Sequence, residues 1–286
     1  SVLRDGKVVA EFAREDFDMK SVIGEIMGRM HEEQDRDATH VLTGDEPVLL
    51  AVEQLTWDGN EHEVAFEVRR GEVLGLVGLL GSGRTEIVET LFGLRSQGHA
   101  RFILDGEPVT IGSPQDAIRL GIALVPEDRR RQGLVLMHTV KENLALPNLG
   151  RVFHGFRIPE SSLNQLAQEC IQEFNVKTHD VDTLMPNLSG GNQQKVVIAK
   201  WFKTEPKLLL MDEPTAGVDV SAKTEIVEMV HRFSRAGKSV IFISSELSEI
   251  MSVCDRVAIL EKGQIKSSVL RADIENEEAL QYALQH

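Results

Sequence analysis

The chain has 286 residues, enough for one large or two small domains, and 42% of them are hydrophobic, an ordinary share for a folded core. Its 31 basic and 45 acidic side chains leave a formal net charge of −14, which argues against nucleic acid or an anionic membrane surface as the main partner. Two cysteines, Cys170 and Cys254, lie far apart without metal-ligand spacing, and no apolar stretch approaches the length of a membrane span.

The first residues repeat the last ones. Shifted by 257 positions, Val2-Leu3-Arg4-Asp5-Gly6-Lys7-Val8 lies on Ile259-Leu260-Glu261-Lys262-Gly263-Gln264-Ile265, and the match runs without a gap to about residue 28. Leu3/Leu260, Gly6/Gly263, Arg14/Arg271 and Asp16/Asp273 are identical, and apolar character repeats at Phe12/Val269, Phe17/Ile274, Val22/Ala279, Ile23/Leu280 and Met27/Leu284. Each copy reads as a hairpin with a glycine turn, then an aspartate cap and an amphipathic helix. Residues 1–30 are therefore expected to be the tail of a preceding domain, 31–47 a polar linker, and 48–286 a second domain of the same kind.

Val48–Leu55 and Val64–Arg69 alternate and predict antiparallel strands. Glu72–Val77 is an apolar strand. It runs into Gly78-Leu-Leu-Gly81-Ser82-Gly83-Arg84-Thr85 and then a helical pattern from Glu86 to Phe92. Strand, glycine loop and helix form the context of a phosphate-binding loop, in which backbone N–H groups cradle phosphate oxygens. The strict pattern has lysine where Arg84 stands.

Arg101–Leu104 and Pro108–Ile111 flank a turn at Asp105-Gly106, and Ser113 caps a short helix over Pro114–Leu120. Ile122–Val125 is a buried strand that leads into Pro126-Glu127-Asp128-Arg129-Arg130-Arg131, by default a solvated charged turn. Helices are expected over Thr139–Leu146 and Ser161–Phe174, inside a helical block at about 135–200 that should form a separate lobe.

Leu188-Ser189-Gly190-Gly191-Asn192 is a turn that opens a helix running to about Phe202, and a helix N-terminus favours an anion. Asp212, 23 positions after Ser189, ends the run Leu208–Met211 and is followed by Glu213. That run reads as a buried parallel strand delivering two carboxylates at its carboxyl end, where open α/β sheets place ligand chemistry. Helix and strand then alternate over Ala222–Ser234, Ser239–Ile243, Leu247–Val253 and Val257–Leu260. The predicted fold is α/β: a parallel-sheet P-loop (RecA-like) core with an antiparallel β subdomain and a helical subdomain.

The pair Leu-Ser-Gly-Gly-Asn (188–192) and Leu-Leu-Leu-Met-Asp-Glu (208–213) resembles the signature and Walker B motifs of ATP-binding-cassette ATPases. Val125–Leu134 resembles a turn of the second cassettes in fused two-cassette ATPases of bacterial sugar importers of the ribose, galactose and xylose type. The resemblance covers the whole chain and implies ATP and Mg²⁺ as cofactors. It implies that Gly78, Gly81, Ser82, Gly83, Arg84, Thr85 and Glu86 hold the nucleotide, with Thr85, Asp212 and Glu127 at Mg²⁺. Glu213 would polarise the attacking water. Ser189, Gly190, Gly191 and Asn192 would bind the γ-phosphate of a nucleotide held by another cassette, and Gly217–Val220 would cross beside that site. Trp57 would either stack on adenine or pack in the core.

Three positions depart from the family pattern: Arg84 for lysine, Glu127 for glutamine, and Ser245 where a histidine contacts the γ-phosphate. All three lie toward the charged end of the nucleotide, so either a weak hydrolase or a regulatory binding module is implied. Expected partners are the first cassette of the same polypeptide or a second copy, transmembrane permease subunits and, indirectly, a periplasmic sugar-binding protein. The expected location is the cytoplasmic face of the bacterial inner membrane.

Overall fold

The structure, a computed structural model, describes residues 1–4, 7–13, 46–60, 62–95, 97–152 and 158–285. Contacts divide the chain into two units, Ser1–Thr39 and His40–His286. In the first, β1 (Val2–Arg4) and β2 (Lys7–Ala10) form an antiparallel hairpin. The helix expected after it and nearly all of the expected linker lie outside the described residues.

The second unit opens with β3 (Val48–Trp57) and β4 (Val64–Arg69), an antiparallel pair. Next come β5 (Val73–Gly78), α1 (Arg84–Leu91), β6 (Gln97–Leu104), β7 (Glu107–Val109), α2 (Pro114–Arg119) and β8 (Ile122–Val125). A π-helical turn at Arg129–Gly133 leads to α3 (Val140–Ala145), α4 (Leu149–Val152), α5 (Glu160–Glu173) and α6 (Gly190–Phe202). The chain continues through β9 (Leu208–Asp212), α7 (Val220–Arg235), β10 (Ser239–Ile243), α8 (Leu247–Val253), β11 (Arg256–Glu261), β12 (Gln264–Leu270) and α9 (Glu277–Gln285).

Two sheets carry the unit. One has four strands in the order β4-β3-β6-β7, all antiparallel. The other has the order β12-β11-β5-β10-β9-β8, parallel from β11 to β8 with β12 antiparallel at its edge. Every residue of β8, β9 and β10 is buried, as strands covered on both faces require, and this is why they appear in the sequence as apolar runs with only the terminal Asp212 and Ser239 among them. Helix α7 buries Ile226, Met229, Val230 and Phe233, spaced as one helical stripe, and Asp219 caps it by accepting from the Ala222 N–H at 3.0 Å. Thr139 and Glu142 form a capping box on α3, which packs against α5 and α6.

The β6–β7 hairpin differs from expectation at both ends. Strand β6 begins at Gln97 rather than 101, because Trp57 and Leu55 of the longer β3 supply pairing partners for Gln97 and Ala100, and β7 ends at Val109.

Candidate functional site

Four adjacent strands bring the motifs together. In the register, Ile243 of β10 pairs with Leu76 of β5 on one side and Asp212 of β9 on the other, and Met211 pairs with Val125 of β8. The residues that leave their carboxyl ends are the glycine loop after β5, Ser244-Ser245 after β10, Asp212-Glu213 at and after β9, and Pro126-Glu127 after β8. Chain segments far apart in sequence therefore share one edge of one sheet.

In the glycine loop, Gly83 has φ +103° and caps α1. A Cβ there would lie 2.8 Å from Trp57 Cζ2. The left-handed backbone and the indole beneath it both exclude a side chain. Trp57 itself is 7% exposed and packs in the hydrophobic core. Helix α1 then opens with the N–H groups of Arg84, Thr85 and Glu86, which have no intrahelical acceptors. The Glu86 carboxylate lies 3.9 Å from the Arg95 guanidinium.

Asp212 is 2% exposed, and its Oδ1 has no hydrogen-bond partner. Burial raises its pKa to about 6; a Thr85 hydroxyl hydrogen bond and the Arg84 charge oppose that, while Glu127 and Glu213 add to it. Thr85, Glu127 and Asp212 line a cavity of about 420 Å³ together with Glu89, Arg131 and Gln132. The buried, unpartnered Ser82 Oγ lies in the adjoining loop. A hydroxyl, a buried carboxylate with an orphan oxygen and a second carboxylate form an all-oxygen donor set, which fits Mg²⁺ held partly by water and phosphate.

Glu213 has φ +44°, left-handed backbone for a residue with a side chain, and its N–H donates to Ile243 O at 3.0 Å. Arg84 Nη1 lies 3.9 Å from its Oε1 and donates to Ser244 O at 3.3 Å; Ser245 Oγ donates to its Oε2 at 3.2 Å. Two of the three departures from the family pattern thus meet on one carboxylate. Beneath them, Glu249 of α8, 7% exposed, accepts from Thr215 Oγ1 at 2.6 Å and Ser244 Oγ at 2.7 Å, with Lys223 Nζ 3.1 Å from its other oxygen. Sequence reasoning missed Glu249: a carboxylate inside a short helix carries no sign that it faces inward.

Ser189 caps α6, and its Oγ accepts from the Asn192 N–H and from Asn192 Nδ2 at 2.8 Å. Asn192 Oδ1 accepts from the Lys177 N–H at 2.7 Å, so this amide serves the cap. The three consecutive arginines are not one solvated run. Arg130 and Arg131 are exposed, whereas Arg129 turns inward and donates to Ala216 O at 2.8 Å and Gly217 O at 3.3 Å.

The sequence profile of the ABC transporter family matches residues 62–216, more than half of the chain. The chain belongs to this family. The ABC transporter chain is 38% identical over 285 residues to the ribose import ATP-binding protein RbsA of Clostridium tetani, covering 99% of itself and 56% of that protein. It is 39% identical over 283 residues to RbsA of Geobacillus kaustophilus, covering 99% of itself and 57% of that protein. It spans about half the length of the curated relatives it matches. An ATP-binding cassette solved as a dimer in a post-hydrolysis state with ADP and Pi superposes with TM-score 0.66 at 19% identity, covering 78% of this chain and 99% of that one. Another, in its ADP conformation, gives 0.66 at 23%, covering 84% and 95%. The fold is that of an ATP-binding cassette.

Proposed function

We propose that this chain is the C-terminal nucleotide-binding domain of a two-cassette ATPase that drives a bacterial importer of a ribose- or galactose-type sugar. The observation that carries the reading is the convergence of Gly78–Thr85, Ser245, Asp212-Glu213 and Glu127 on the carboxyl edge of four neighbouring strands, in a chain related to ribose import proteins over 99% of its length.

The second-cassette position is supported by the two hairpins. Leu3 pairs with Val8 and Arg4 with Lys7; 257 positions on, Leu260 pairs with Ile265 and Glu261 with Gln264. Val2 pairs with Ala10 as Ile259 pairs with Ser267, and the register breaks at the same step in both copies. A repeated irregularity is a stronger sign of a repeated domain than a repeated residue type.

In this reading Thr85, Asp212 and Glu127 would hold Mg²⁺, which would neutralise charge on the phosphates. The loop N–H groups and Arg84 hold the phosphates, and Ser189–Asn192 completes the site of the other cassette. Glu213 takes the proton of the attacking water only when its carboxylate is free. Before nucleotide arrives Arg84 lies beside one oxygen of that carboxylate and Ser245 on the other; the departures at Arg84, Glu127 and Ser245 support the reading of a site with weak turnover. That arrangement also favours a second reading, a regulatory domain that binds nucleotide without hydrolysing it. In this reading the domain docks on permease subunits at the cytoplasmic face of the membrane, as its likeness to ribose import ATP-binding proteins suggests; among the described residues no helix is long and apolar enough to cross a membrane.

The test is ATPase of the full two-cassette polypeptide with its permease, stimulated by binding protein loaded with ribose, galactose or xylose. Stimulation by a nucleoside and by none of the sugars would refute the substrate class. Steady turnover by this chain alone, independent of its concentration, would refute the weak, shared site.

A further inference from the structure

Three segments meet at one side chain. Arg129 lies two residues beyond Glu127, in a turn whose geometry is stiff: Arg129 N–H donates to Glu127 O at 3.1 Å, and Asp128 Oδ1 accepts the N–H groups of Arg130 and Arg131, each at 3.1 Å. From that turn the guanidinium reaches the carbonyls of Ala216 and Gly217, in the loop that follows Asp212-Glu213. It also fills the space over the start of α6: a Cβ on Gly190 would lie 2.8 Å from Arg129 Nη2 and 3.2 Å from Gly217 O. Gly190 is thus the residue whose bareness lets the arginine, the signature and the 216–217 turn close on one another.

A solvated charged turn explains none of this. Burial, with the neighbouring Arg130, pulls the Arg129 pKa below the ordinary guanidinium value, and its Nε lies buried without a hydrogen-bond partner. A partly desolvated charge with an idle donor is a costly way to fasten a surface loop. The two carbonyl partners of Arg129 and its place over Gly190 tie the Glu127 turn to the 216–217 turn and to the start of α6.

We propose that Arg129 is a positioning residue that carries the position of the Glu127 turn, at the nucleotide, to the 216–217 turn and the signature, which serve the opposite cassette. The proposal rests on the nucleotide-site reading above. Because Arg129 and Glu127 share one short turn, a displacement of Glu127 by bound nucleotide displaces the guanidinium, and the two carbonyls follow it.

Hydrogen exchange of the full chain tests this at two amides, Ala216 N–H, which donates to Glu213 O at 3.0 Å, and Val218 N–H, which donates to Thr215 O at 3.4 Å. Without nucleotide, Arg129→Ala should speed exchange at both by about tenfold or more, and Arg129→Lys, which can reach one carbonyl, by less. Core amides of β9 and β10 serve as the control for folding. A fluorescent MgATP analogue should alter exchange at 216 and 218 in the parent and not in Arg129→Ala, although both bind it. Unchanged exchange at 216 and 218 in Arg129→Ala overturns the proposal, as does a nucleotide response that survives the substitution. Failure of the parent to bind the analogue would refute the site reading instead, and the nucleotide-free comparison would still decide whether Arg129 holds the loop. Arg129→Lys supplies that comparison if Arg129→Ala does not fold.

Discussion

Arg84 and Glu213 face each other across the end of the parallel sheet, 3.9 Å apart, with side chains 15% and 14% exposed. The residue at the lysine position of the phosphate loop is thus held beside the carboxylate expected to activate water, and its Nη1 is fixed to Ser244 O. Arginine keeps the charge of lysine but spreads it over a planar fork, which lets it span two acceptors.

Arg84→Ala should therefore weaken binding of a labelled ATP analogue by about tenfold or more, roughly 1.4 kcal/mol, and Arg84→Lys by less. Equal affinities for the parent and both variants would mean that Arg84 stays on Glu213 and Ser244 and never meets phosphate.

Asp212 makes stability depend on pH. Its folded-state pKa of about 6 lies above the ordinary 3.8. The folded chain then keeps a proton that the unfolded chain releases, so this group's contribution falls as pH rises from about 4 to 6 and is fully unfavourable above that. Asp212→Asn should be more stable than the parent at pH 8, and the advantage should vanish below pH 4 in thermal unfolding. Binding of MgATP by the parent should weaken as pH falls through about 6, because a protonated Asp212 cannot hold the ion.

Ser189 offers the cleanest test of the shared site. Ser189→Arg places a long cation at an exposed cap, so this chain should fold and bind its own nucleotide. In the full two-cassette protein, hydrolysis at the first cassette should collapse. Gly190→Asp is less clean, since its carboxylate would fall against Arg129 Nη2 and disturb three segments at once. Surviving hydrolysis with loss of binding at this cassette's own loop would place the signature in cis.

Glu249→Ala should cost about 3 kcal/mol in urea unfolding, because Thr215, Ser244 and Lys223 lose one shared buried acceptor. Glu249→Gln should cost less. A change below about 0.5 kcal/mol for alanine would mean that water replaces the carboxylate.

Much of this was legible in the sequence, for a physical reason. Strands β8, β9 and β10 are apolar but for Asp212 at the end of β9 and Ser239 at the start of β10, and their observed bounds fall within a residue of the expected ones. Ser113 and Ser189 cap helices because short polar side chains reach the free N–H groups. What could not be read was direction. Arg129 looks like Arg130 and Arg131 until a sheet places Ala216 and Gly217 beside it, and Glu249 looks like any solvated glutamate until Thr215 and Ser244 meet over it. Trp57 was ambiguous for the same reason: nothing in the sequence shows that its indole lies under Gly83, 26 positions away.

The left-handed backbone at Glu213 sets stability against the side chain it carries. At φ +44° glycine or asparagine would be accommodated more easily, so either should raise the melting temperature while removing the carboxylate. Glu213→Gly and Glu213→Asn would therefore separate two uses of one position, relieving the backbone while removing the carboxylate that Arg84 and Ser245 approach.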